Sequence, residues 1–105
     1  MDPRAPRAVL VAGQIVLPCR IGRAGATADK REGDGCSPKG RFAILGGWWR
    51  NDRRQRPRTG LALKPLHRND GWCDAPGHRC YNHLIQLPFS ASHEEMWRAD
   101  HQYDV

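Results

Sequence analysis

Aliphatic side chains are scarce. Leu, Ile, Val and Phe together supply eighteen of 105 residues, below the roughly one-fifth at which chains begin to resemble disordered ones. A large apolar core is excluded, and the length leaves little room for a second domain. No apolar run approaches the roughly 18 residues that cross a bilayer as a helix. The opening Met1-Asp2-Pro3-Arg4 leads into only a short apolar stretch, Ala8 to Gly13, without a usual cleavage signal. Several catalytic signatures are missing too. There is no G-x-S-x-G, P-loop or G-x-G-x-x-G, and His93-Glu94 does not open an H-E-x-x-H zinc site because Trp97 stands where the second histidine is needed. No internal repeat is visible.

What is present argues for order. Four Trp and two Tyr add large buryable surfaces, and a net charge of +6 is moderate for this length. The basicity is confined to residues 1–58, which carry thirteen Lys and Arg against five Asp and Glu. Its densest window, Arg50 to Arg58, puts five guanidinium groups within nine residues. Such a run suits an anionic polymer, cell wall or nucleic acid, or is simply a solvated loop; no fingerprint of a nucleic-acid module accompanies it, and no specific nucleic-acid partner is expected.

The periodicity predicts a mainly β chain. Ala8–Ala12 and Gln14–Arg20 flank Gly13, which suits a type II′ hairpin turn because glycine accepts positive φ. Gly22 to Gly40 is polar and glycine-rich, hence a loop, with Gly33-Asp34-Gly35 as turn chemistry. A third strand is expected over Arg41–Leu45, closed by Gly46-Gly47 and Trp48-Trp49. Leu61–Leu66 is expected as a short edge strand because Pro65 cannot serve a central ladder, and Leu84–Pro88 has strand character. Ser92 and Glu95 have the S-x-x-E spacing of a capping box, which predicts one short helix near the C-terminus, with Met96, Ala99 and Tyr103 on its packed face.

Cys19, Cys36, Cys73 and Cys80 match neither C-x-x-C nor zinc-knuckle spacing. Cys73 and Cys80 could close a short disulfide loop or remain two reduced thiols. Cys73, His78, Cys80 and His83 supply four zinc-type ligands, but at irregular intervals, so no metal and no cofactor is expected. A thiolate–imidazole pair could arise from Cys36, Cys73 or Cys80 with His67, His78 or His93. Trp72 lies in a polar turn beside Asp70, Asp74 and Asn82, where an indole either packs over the loop or offers a flat platform in a saccharide or peptide groove.

Four ordered stretches carry a family resemblance. They are Leu17-Pro18-Cys19-Arg20-Ile21-Gly22-Arg23-Ala24-Gly25; the loop from Lys30 to Phe42 containing Gly33-Asp34-Gly35 and Ser37-Pro38-Lys39-Gly40; Asp70-Gly71-Trp72-Cys73-Asp74 with Tyr81-Asn82; and Ser92-His93-Glu94-Glu95-Met96-Trp97-Arg98-Ala99-Asp100 with Tyr103-Asp104. Together they resemble the N-terminal portion of an L,D-transpeptidase catalytic domain of the YkuD-like kind, over nearly the whole chain from about residue 8. The resemblance implies an incomplete β-sandwich in one partial domain spanning 1–105. It also implies bacterial cell-wall crosslinking chemistry in the envelope or periplasm, although the missing export signal leaves the cytoplasm open. Peptidoglycan stem peptides are the implied partners, with acyl transfer through a cysteine thioester. The family's histidine motif and Ser/Thr-x-Gly-Cys motif are absent from these 105 residues, so no catalytic residue is assigned and this chain is expected to be inactive alone. A sandwich without its later strands would leave 102–105 as an orphan strand start and a sheet edge unpaired. Trp72, Asn82 and His93 are the candidate substrate-binding residues; their structural alternatives are ring packing, turn hydrogen bonding and a position in the first turn of a helix. The alternative function is a small basic module that binds an anionic polymer through Arg50–Arg58.

Overall fold

The computed structural model describes residues 4–105. The chain divides into two compact units, the first ending at Phe42 and the second running from Ala43 to Val105.

In the first unit, β1 (Arg7–Ala12) and β2 (Ile15–Arg20) pair antiparallel with Val11 opposite Val16 and Ala12 opposite Ile15. Gly13 takes φ 60° while Gln14 keeps a negative φ, the combination a type II′ turn needs. The expected hairpin is therefore present. Its aliphatics, among them Val9, Val11, Ile15 and Val16, remain exposed. Two short strands, β3 (Ala26–Thr27) and β4 (Ser37–Pro38), then form a parallel pair. Gly22 anchors the loop they close: its N–H donates to Ser37 Oγ at 2.8 Å, and a Cβ there would lie 2.3 Å from the Gly35 carbonyl oxygen.

In the second unit, β5 (Gly46–Trp49) runs parallel to β6 (Ala62–Pro65) as a two-stranded ribbon. Its centre is a three-stranded antiparallel sheet in which β7 (Asp70–Cys73) lies between β8 (Leu84–Gln86) and β9 (His93–Glu95). Leu66, Gly71, Cys73 and Ile85 are buried around it. Gly71 is required by packing, since an added Cβ would lie 2.7 Å from Ile85 Cδ1 and 3.2 Å from the Glu94 carbonyl oxygen.

Three expectations are corrected. Arg41–Leu45 forms no strand, and Phe42, Ile44 and Leu45 are exposed. Pairing begins only at Gly46, where the absence of a side chain lets β6 approach: a Cβ would stand 2.7 Å from the Ala62 carbonyl oxygen. Alternation alone does not make a strand without a partner to complete its ladder. The C-terminal helix is also absent, and the described residues contain no helix at all. Ser92 donates its hydroxyl to Asp74 at 2.6 Å instead of capping, and His93–Glu95 pair with β7. A helix this short is marginal by itself, so the ladder prevails. Finally, 102–105 is not a strand start; it is a turn whose Asp104 is buried.

Candidate functional site

The two faces of β7 carry different chemistry because adjacent strand residues point to opposite sides. On one face stands Trp72. Its Nε1–H donates to Asn82 Oδ1 at 3.1 Å, and Asn82 holds the left-handed φ of 59° that lets its own N–H reach the Cys73 carbonyl at 2.8 Å. The Trp72 ring meets Trp48 of β5 edge-on, with centroids 5.7 Å apart. The two indoles flank a groove of about 440 Å³ lined also by Leu45, Gly46, Gly47, Ala62 and Lys64. Trp72 and Asn82 are thus brought together. Trp48 and Lys64 complete the groove, a pairing that only the parallel β5–β6 register reveals.

His93 lies on the other face. It stands opposite Cys73 across the β7–β9 ladder, its Nδ1 is 2.7 Å from the Ala91 carbonyl, and its ring abuts Phe89. Phe89 in turn meets His78, whose Nδ1 is 3.9 Å from Cys73 Sγ. Of the thiol–imidazole pairs, only Cys73 and His78 come into contact range among the described residues. Their geometry does not activate sulfur: Cys73 is fully buried, and His78 Nδ1 already accepts the Cys80 N–H at 3.0 Å. Buried thiols away from positive charge are inert. All four cysteines stand as free thiols, and no three metal-ligating side chains converge among the described residues.

The remaining family-like residues fasten loops. Asp34 accepts the amides of Arg31 and Cys36 at 2.8 Å each and the Lys30 ammonium, while Gly33 and Gly35 supply positive φ on either side. The Lys30 hydrogen bond, then the two amides, hold the Asp34 carboxyl down at about 2. Buried Asp70 closes a turn by accepting the His67 amide at 2.8 Å and the Gln86 side-chain amide at 2.6 Å. Glu94 accepts the Tyr103 hydroxyl; burial and then this bond push the phenol up to about 12. Asp100 is gripped by the Arg98 guanidinium, which lowers its carboxyl to about 2.

The arginine run is partly consumed in this network. Arg50 is 4% exposed, stacks 3.7 Å above the Trp97 ring, forms a two-point pair with Asp52 and donates to the Arg98 carbonyl. Arg53 donates to the carbonyls of Arg98, Ala99 and Asp100 and to the Asp104 carboxylate. Arg54 lies 3.6 Å from Asp104 and is largely exposed. Only Arg54, Arg56 and Arg58 therefore face solvent, and the solvated-loop reading fits only that end of the run. Asp52, Trp97 and Asp104 were the sequence signals for this engagement, but the last two lie more than forty residues away along the chain. Compared with protein-family models, curated proteins and solved structures, the chain matches none of them.

Proposed function

We propose that these residues form the N-terminal part of an L,D-transpeptidase-like domain of the bacterial cell envelope, folded as part of a β-sandwich. The reaction it belongs to transfers the acyl group of a peptidoglycan stem peptide through a cysteine thioester to an amine. One observation carries the reading: four family-like stretches occur in the family's order from about residue 8 onward. Their residues also act on one another, as in the Trp72–Asn82 and Tyr103–Glu94 hydrogen bonds. The acyl-transfer step is not assigned to this chain's own cysteines, because none lies in a Ser/Thr-x-Gly-Cys context and Cys73, at the end of β7, is fully buried. Its contribution is the framework and one wall of the substrate groove, the Trp72 indole held by Asn82. His93, packed on Phe89, belongs to the framework.

The test is to read the coding DNA beyond the Val105 codon in all three forward frames. The proposal expects one frame to continue into a histidine motif followed by Ser/Thr-x-Gly-Cys. Absence of both motifs from every frame overturns it. The anionic-polymer alternative has only three outward arginines left to support it.

A further inference from the structure

We propose that the groove between Trp48 and Trp72 binds a sugar ring that carries a carboxylate. It is the groove whose Trp72 wall the proposed function uses, and the inference rests on the cell-wall reading only for the source of the sugar. Its volume of about 440 Å³ falls in the range of small-ligand sites. The walls are two indoles inclined at 73° to each other, so they form a corner rather than a slot. A flat indole face matches the C–H face of a pyranose, and the Trp72 ring is fixed in place by its bond to Asn82.

The lining is largely apolar, as stacking on the C–H face of a sugar requires, and its polar part is small. β5 pairs only with β6, so alternate backbone groups of Gly46–Trp49 have no partner strand. Ring hydroxyls match such groups. The charge is supplied by Lys64, which stands directly opposite Trp48 in the parallel register, is exposed, and has no ion-pair partner among the described residues. No acidic side chain lines the groove. Glu94, across the ladder from Trp72, has its carboxylate engaged by Tyr103. An apolar corner, a strand edge without a partner and one ammonium free of an ion pair together favour a sugar with a single negative charge over a neutral one.

Saturation-transfer NMR on the 105-residue chain tests this with N-acetylmuramic acid, glucuronic acid, neutral N-acetylglucosamine and lactate as probes. The expected result is transfer to the ring protons of a carboxylated sugar, at least about tenfold weaker binding of the neutral sugar, and little transfer to lactate. Lys64→Gln, a surface change that leaves the fold's amide spectrum intact, should weaken the carboxylated sugar by about tenfold and leave the neutral one unchanged. Binding of N-acetylmuramic acid supports the site with a cell-wall source, namely glycan stripped of its stem peptides, because a muramic acid that bears a peptide has its carboxyl tied up as an amide. Binding of glucuronic acid alone supports the site and moves its source away from the wall. No binding of either acid overturns the inference, as does equal binding of the neutral sugar or insensitivity to Lys64→Gln. These outcomes are independent of the DNA reading, so the two proposals fail separately.

Discussion

Arg53 serves four acceptors at once, three of them successive backbone carbonyls from Arg98 to Asp100. A planar fork of N–H donors can do this, whereas an ammonium is a single point of charge. Arg53→Lys is therefore expected to lose much of the stability that Arg53→Ala loses, on the order of 2 kcal/mol. Urea melts of the two variants check it, and a Lys variant as stable as the wild type would refute the carbonyl role. The depressed carboxyls give a pH dependence with a definite sign. Asp34 and Asp100 titrate near 2 in the fold, and Asp104 is also lowered, first by its His101 hydrogen bond and then by Arg53. Unfolded aspartate titrates near 3.9. The ionised forms thus favour the fold above about pH 4, and this contribution fades as pH falls towards about 2. The melting temperature should be level from pH 7 to 5 and fall steeply between about 4 and 2, and Asp100→Asn should flatten part of that fall.

Among the elements, the hairpin was legible because its information is local: alternating apolar runs and one glycine at the turn. β9 was not legible. The S-x-x-E spacing that signals a helix start sits on residues whose partners, Asp74 and β7, are some twenty positions away. Far-UV circular dichroism should accordingly show no 222 nm helical minimum, and Ser92→Ala should cost about 1 kcal/mol through the lost Asp74 bond without changing the spectrum. The shifted β5 has the same origin, since its start is set by how closely β6 approaches Gly46. In the candidate site, Trp72 and Asn82 were recognisable by type, but the polar turn expected around Trp72 is instead the central strand β7, because Leu84–Gln86 and His93–Glu95 pair with it on both sides. Their companions Trp48 and Lys64 required the β5–β6 register, and the separation of His93 required knowing that it pairs with Cys73 rather than with Trp72. Gly22→Ala is expected to unsettle the first unit by about 1–3 kcal/mol, because the new methyl meets backbone rather than a yielding side chain. Thermal melting of that variant checks it.

At the scale of the whole molecule, the scarcity of aliphatics becomes a scarcity of interior. Among the described apolar side chains only Ala5, Leu66, Cys73 and Ile85 are buried, and just one of these belongs to the first unit. All four tryptophans lie between positions 48 and 97, inside the second unit. Urea unfolding should therefore give two curves: the strand signal, which includes the hairpin, begins to fall before tryptophan fluorescence moves. Coincident transitions would mean that both units melt as one. The hold of Arg53 on the 98–100 backbone has a corollary for solvent. The guanidinium ion of a common denaturant is the same chemical group as the end of that side chain, so it can occupy those oxygens as a soluble rival. Guanidinium chloride would then release the final turn by displacement, at strengths where urea, a neutral solute, leaves it fastened.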